Sequence, residues 1–109
     1  DYIFCTNSGS SLGVLSSVLS AGRNEIGIFG IDDEDGQISA LQDPSNPYLA
    51  TVGQDPFSIG KKSVECAIKA MNGERSGLIT VDASLYTKEN VSEVLKEKQA
   101  LKEELNAYK

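Results

Sequence analysis

The acidic run Asp32–Asp35, within "GIFGIDDEDGQI", contains the residues of this sequence best suited to chemistry. Adjacent carboxylates can hold a metal ion, act as an acid–base pair, bind a ligand or form a solvated turn. A calcium loop aligned on Gly36 would place Ile31 and Gln42 at its first and twelfth positions, where it needs oxygen ligands. The pattern therefore predicts no metal site.

The composition argues against enzymes and against proteins that bind nucleic acids. The chain has no histidine, which removes the commonest general base and the Ser–His and Cys–His nucleophile pairs. In "GQDPFSIGKKS", a phosphate loop would need glycine five residues before Gly60, where Asp55 stands. A net charge of −6 offers no basic stripe for phosphates. We predict no catalysis, no cofactor and no nucleic-acid partner.

The remaining composition is that of a small globular domain. Cys5 and Cys66 lie in apolar surroundings that are typical of buried free cysteines, although the sequence leaves a disulfide open. No apolar run approaches the roughly 20 residues of a membrane span, and no signal peptide is visible. The chain opens directly on a strand-like run, "DYIFC", so we expect the true N-terminus upstream.

The elements that would position these residues alternate in the order β-α-β-α-β-α-β-α. Short apolar runs predict four strands: Tyr2–Cys5, Ile26–Ile31, Tyr48–Val52 and Leu78–Val81. Each is followed by a helix: 12–19 capped by Ser10 or Ser11 and ended by Gly22, 35–41, one from Asp55-Pro56 to Gly73, and a last one capped by Thr87. Right-handed crossovers imply a parallel α/β sheet with helices on both faces, Rossmann- or flavodoxin-like.

The third helix carries a clear apolar face. This face comprises Ile59, Val64, Ala67, Ile68 and Met71.

Polar residues follow the first three predicted strands: Asn7, Asp32 and Gln54. In a parallel sheet, ligands bind beyond the carboxyl ends of the strands, and neighbouring strands lie about 4.8 Å apart. A carboxylate accepts hydrogen bonds from vicinal hydroxyls, and amides both donate and accept, which suits a sugar. The alternative is that all three are strand-end turn or capping residues, and their spacing leaves both interpretations open.

Three segments resemble, in order, the C-terminal half of type I periplasmic sugar-binding proteins, the ribose- and galactose-type receptors of ABC importers. They are "DYIFCTNSGSSLGVLSSVLSAGR", "EIGIFGIDDEDGQISAL" and "YLATVGQDPFSIGKKSVECAIKAMNGE". The resemblance implies a fragment of an extracytoplasmic, sugar-binding transport component whose partners are a monosaccharide and the importer's membrane subunits.

The resemblance also implies roles for particular residues. Asn7, Asp32 and Gln54 match positions that hydrogen-bond sugar hydroxyls, and 53–55 resembles a hinge. Residues 1–54 would come from one lobe and 56–83 from the other, with 87–109 as the C-terminal helix. The other acids, Asp33 to Asp35, are then expected to form a solvated turn.

Two departures leave alternatives open. Ser8 stands where the family commonly has an acid, and the tail after Asn90 exceeds the usual ending. Apolar residues of the tail recur at heptad-like spacing that Lys98 interrupts, which fits a helix packed on its own domain or a self-associating one. Two other functions therefore stand beside sugar transport. The chain could be the effector-binding domain of a LacI/GalR-type regulator, or a truncated half-domain that forms a homodimer without binding ligand.

Overall fold

The computed structural model describes residues 1–108, and strands and helices alternate along them as predicted. The elements are β1 (Tyr2–Phe4), α1 (Ser8–Ser20), β2 (Gly27–Ile31), α2 (Asp35–Gln42), β3 (Tyr48–Gly53), α3 (Pro56–Met71), β4 (Ser84–Thr87) and α4 (Val91–Asn106). The chain forms two compact units. Unit 1 is Asp1–Gly53 with the chain from Leu85 onward, and unit 2 is Gln54–Ser84.

The sheet has the strand order β1-β2-β3-β4, and β2 is parallel to both β1 and β3. The predicted α/β fold with a parallel arrangement of these strands is therefore confirmed. In unit 1, α1 packs on β2, α2 packs on β3, and α2 contacts both α1 and α4. The core between them is formed by Cys5, Leu15, Val18, Ile28, Ile38, Ala40, Leu41, Tyr48, Tyr86 and Val91.

The opposite side of this sheet is apolar and open in unit 1. Phe4 pairs with Phe29, which pairs with Ala50, so these residues form one row across three strands. Successive side chains of a strand point to opposite faces, and this row alternates with core residues such as Cys5 and Ile28. Phe4 remains 63% exposed.

The starts of α1 and α4 differ from prediction, because neither helix is capped by the serine or threonine that the sequence suggested. The Asn7 side-chain oxygen accepts the Ser10 amide at 2.8 Å, so α1 begins at Ser8 rather than after Ser10 or Ser11. An amide oxygen at the strand end reaches the free helical N–H groups one turn earlier than either serine could. Thr87 ends β4, and Asn90 precedes α4 and accepts the Thr87 amide at 2.7 Å.

The fourth strand was predicted at the wrong place. The segment Leu78–Val81 has no regular structure, and Leu78 is 97% exposed. The strand instead lies at Ser84–Thr87, where Tyr86 is fully buried and its hydroxyl donates to Asp33 at 3.1 Å. A β-branched apolar run favours a strand by composition, but burial and a hydrogen-bond partner decide which run pairs with the sheet.

In unit 2, α3 begins as predicted, and its apolar face is not buried. Asp55 caps it by accepting the Ser58 amide at 3.1 Å, with Pro56 at the first helical position, and Gly73 follows the helix with φ of 82°. No residue of α3 is buried. The apolar face is exposed, with Val64 at 60% and Met71 at 86%. This helix therefore presents its apolar stripe to solvent.

The two cysteines are not joined by a disulfide. Cys5 is buried in the core and Cys66 is half-buried, and both are free thiols. Among residues 1–108, no helix combines the length and the apolar character that crossing a membrane requires.

Candidate ligand-binding site

The carboxyl ends of β1 and β2 bring Asn7 and Asp32 to the same edge of the sheet. The Cys5 amide donates to the Phe29 carbonyl at 2.8 Å, which continues the pairing of these strands to their ends. Just beyond, the Ser8 amide donates to Oδ2 of Asp32 at 3.0 Å. Two of the three predicted site residues are thus adjacent, with Asn7 exposed and Asp32 half-buried.

Asp32 adopts a backbone conformation that few residues tolerate. Its φ is 78°, the only positive value at a residue other than glycine within 1–108. The backbone is held on both sides, since the Asp32 amide donates to the Val52 carbonyl at 2.9 Å and the Thr51 hydroxyl donates to the Asp32 carbonyl at 2.6 Å. Strained conformations of this kind persist where the surroundings enforce them, and they concentrate at functional sites.

Asp32 contacts the first residue of α1 through its side chain. Its carboxylate lies at the N-terminus of α1, where unpaired amide groups and the helix dipole attract anions. The Ser8 hydroxyl donates to Oε1 of Glu34 at 2.8 Å, so one serine contacts both carboxylates. Ser8 therefore connects α1 to the acidic loop.

Asn7 caps α1 and can also face a ligand. Its side-chain oxygen is used for the Ser10 amide, and its NH₂ group remains a donor. The capping alternative is therefore realised for this residue without removing its capacity to bind. Gln54 is exposed and directly follows β3, but it is the first residue of unit 2. Its position next to the other two stays a prediction.

The expectation of a solvated turn is wrong for Asp33. This side chain is only 27% exposed, accepts a hydrogen bond from the Tyr86 hydroxyl and forms an ion pair with Lys98. Burial raises the pKa of Tyr86. Burial also lowers the pKa of Lys98, but the hydrogen bonds to Asp33 and Tyr86 outweigh it, so the net pKa is raised. Glu34 and Asp35 are exposed.

Sequence reasoning also missed Gln37, a fully buried residue beneath the loop. Its Nε2 donates to the Ile31 carbonyl and to the Tyr48 hydroxyl, both at 2.8 Å. Its Oε1 accepts the Glu34 amide at 3.1 Å. The spacing Glu34-x-x-Gln37 at the start of a helix is that of a capping box, and it could have indicated this residue. Gln37 thus fixes the backbone on both sides of Asp32.

The arrangement suits a hydroxylated ligand better than a cation. It offers a carboxylate acceptor and an amide donor on a rigid sheet edge. Within residues 1–108, no group of three or more His, Cys, Asp or Glu side chains is placed to hold a metal ion.

The fold is that of the type I periplasmic binding proteins, and the chain is homologous to the sugar-binding proteins of ABC transporters. It is 32% identical to the ribose import binding protein RbsB of Escherichia coli over 88 residues, which cover 80% of this chain. The RbsB of Salmonella typhimurium matches to the same extent. The chain spans 29% of the length of these relatives.

Solved structures agree with this assignment. An ABC transporter solute binding protein from Agrobacterium vitis, with bound allitol, superposes with a TM-score of 0.81 and 26% identity, covering 89% of this chain and 34% of its own. An ABC sugar transporter subunit from Rhodobacter sphaeroides gives 0.72 and 29%, covering 82% and 32%. No family model matches the chain.

Proposed function

We propose that this chain is the C-terminal part of a substrate-binding protein of a sugar ABC importer. In this proposal the complete protein is extracytoplasmic, binds a monosaccharide and delivers it to the membrane subunits without catalysing a reaction. The observation that carries the proposal is the half-buried carboxylate of Asp32 at the joined ends of β1 and β2. It occurs in a chain homologous to RbsB, a ribose import binding protein.

The chemistry of this edge supports a sugar rather than another small molecule. A carboxylate has about four acceptor positions, so Asp32 can accept from the Ser8 amide and from sugar hydroxyls together. The Asn7 NH₂ group supplies a donor to a hydroxyl or ring oxygen. Hydrogen bonds to an ionised group are the stronger ones, and they give a hydroxyl-rich ligand both affinity and orientation.

We further propose that Gln54 is the third contact and that Gly53–Asp55 form a hinge segment. The division of the chain between Gly53 and Gln54 supports this, because hinges lie where a chain passes from one compact unit to the next. Units 1 and 2 would then belong to the two lobes of the complete protein.

Calorimetric titration of the complete natural protein with a panel of pentoses and hexoses tests this function. We expect at least one of them to bind with a saturable 1:1 isotherm. A protein that is folded by circular dichroism and binds none of the panel would contradict the proposal.

A second property is favoured by a specific observation, the exposed apolar surface. Tyr2, Phe4 and Leu85 of the sheet, and Val64, Ile68 and Met71 of α3, are each more than half exposed. Exposed large apolar side chains on a sheet face and on a helix face are typical of surfaces that associate in water. We therefore expect the isolated 109-residue chain to self-associate and to bind sugar weakly. Multi-angle light scattering at rising concentration checks this, and a mass that stays at the 11.6 kDa monomer would contradict it.

A further inference from the structure

Three side chains from distant parts of unit 1 meet directly beside Asp32. The Lys98 ammonium of α4 forms an ion pair with Oδ2 of Asp33, and the Tyr86 hydroxyl of β4 donates to the same oxygen at 3.1 Å. The ammonium also lies 4.9 Å from the centre of the Tyr86 ring. We call Asp33, Tyr86 and Lys98 the tail clamp. It connects the C-terminal helix to the loop that carries the proposed sugar-binding carboxylate.

The tail clamp also packs closely against Gly53 at the end of β3. A Cβ atom on Gly53 would lie 2.7 Å from Cγ of Asp33 and 2.8 Å from Cε2 of Tyr86, so only glycine fits there. Gly53 is the last residue of unit 1 before the chain enters unit 2, and Leu85 is the first after it returns. The tail clamp therefore lies beside Gly53, where the chain leaves unit 1. It also contains Tyr86, the residue after Leu85, where the chain returns to unit 1.

The clamp is shielded enough to be energetically significant. The side chains of Asp33 and Lys98 are 27% and 34% exposed, whereas fully exposed ion pairs are worth little. Two hydrogen-bond donors share one carboxylate, and the aromatic face of Tyr86 adds a favourable site for the cation. In the part of α4 that precedes Lys98, Val91 is buried in the core, and Val94 and Leu95 pack against the core.

The strained backbone of Asp32 explains what such a clamp would accomplish. The left-handed φ of Asp32 is uncommon for a residue with a side chain, although aspartate adopts it more readily than most, and contacts with neighbouring residues help to hold it. Hydrogen bonds from Thr51 and to Val52 hold Asp32 itself. The next residue, Asp33, is held through its side chain, which contacts Lys98 and Tyr86.

We propose that Lys98 is a positioning residue for the sugar site. By holding Asp33, it fixes the Asp32 backbone beside the end of β3, so that the Asp32 carboxylate is presented to the ligand in one geometry. The long C-terminal helix, through a residue that interrupts its apolar pattern, is therefore part of the binding machinery. This inference rests on the proposed sugar-binding function and names a residue that would not touch the sugar.

The test compares Lys98→Met, Lys98→Arg and Asp33→Asn with the control Lys102→Met, an exposed lysine one turn further along the same helix. In the complete natural protein, calorimetry with the sugar that binds the unaltered protein should show an affinity about tenfold weaker for Lys98→Met. Lys98→Arg should restore most of it, because arginine keeps the charge and the donors. Lys102→Met should leave the affinity unchanged.

A second measurement does not depend on sugar. The Ser8 amide donates to Oδ2 of Asp32, and the Asp32 amide donates to the Val52 carbonyl. The hydrogen exchange of these two amides therefore reports the geometry of the site in the ligand-free protein. We expect faster exchange at both amides in Lys98→Met and Asp33→Asn, and no change in Lys102→Met. If no sugar binds the unaltered protein, the proposed function fails while this measurement still decides the role of the clamp.

Two outcomes would overturn the inference. One is that Lys98→Met lowers the melting temperature but leaves the exchange of both amides unchanged, which would make the clamp a structural contact only. The other is an unaltered sugar affinity in Lys98→Met when the parent protein binds. Should Lys98→Met fail to fold, Asp33→Asn, which retains the shape of the side chain, decides by the same criteria.

Discussion

Asp32→Asn is expected to weaken sugar binding by about 10- to 100-fold in the complete protein. The substitution keeps the size of the side chain, and asparagine tolerates the left-handed backbone that Asp32 adopts. It replaces charge-assisted hydrogen bonds, which contribute about 1.5–3 kcal/mol each, with neutral ones that contribute about 0.5–1.5 kcal/mol, so two sugar hydroxyls together lose about 2 kcal/mol. A loss of this size corresponds to the stated change in affinity. Calorimetric titration with the preferred sugar measures it.

Asp35→Asn is the matched control for this prediction. It makes the same chemical change three residues further on, at an exposed position in the first turn of α2. We expect its sugar affinity to equal that of the parent. Equal losses in both variants would mean that the overall negative charge of the loop matters, and no loss in Asp32→Asn would remove this residue from the site.

Gly30→Ala is expected to destabilise the fold by about 3 kcal/mol or more, at the upper end for overpacking in a core. An added Cβ would lie 2.0 Å from the Tyr48 hydroxyl oxygen and 2.5 Å from Oγ of Ser11. Both side chains are fully buried, and the Tyr48 hydroxyl is hydrogen-bonded to Gln37, so neither can move aside without losing its partner. Urea unfolding followed by circular dichroism measures the change.

Gly13→Ala should do the opposite. Gly13 lies within α1, and an added Cβ would meet nothing within 4 Å. Alanine in the middle of a helix is more stable than glycine by about 0.5–1 kcal/mol. The Gly30→Ala prediction is contradicted if that variant is as stable as the parent, because Gly30 would then not lie as close to the Tyr48 hydroxyl as described.

The order of elements was predictable because it depends on local patterns. The buried strands appear as continuous apolar runs, and Asp55-Pro56 and Gly73 mark the ends of α3 by their own backbone chemistry. The position of β4 was not predictable in this way. Leu78–Val81 is the more apolar run, but the strand forms where Tyr86 finds a buried hydrogen-bond partner 53 residues earlier in the chain. Such a contact leaves no local pattern.

In the candidate site, too, the features that depend on local sequence were predictable and those that depend on distant contacts were not. That Asp32 follows a buried strand is visible in the sequence, and the structure places it beside Asn7 and Ser8. The role of Asp33 was missed because its partner, Lys98, is 65 residues away on a helix whose pattern it interrupts. Adjacent acids with the same local sequence context thus make different contacts, and only the folded chain distinguishes them.

A crystal structure of the complete protein with its preferred sugar tests the central claim most directly. We predict a sugar hydroxyl within about 3.2 Å of the Asp32 carboxylate. Further hydroxyl or ring oxygens should lie within hydrogen-bond distance of the Asn7 and Gln54 side chains. A sugar bound elsewhere, with no contact to Asp32, would contradict the account.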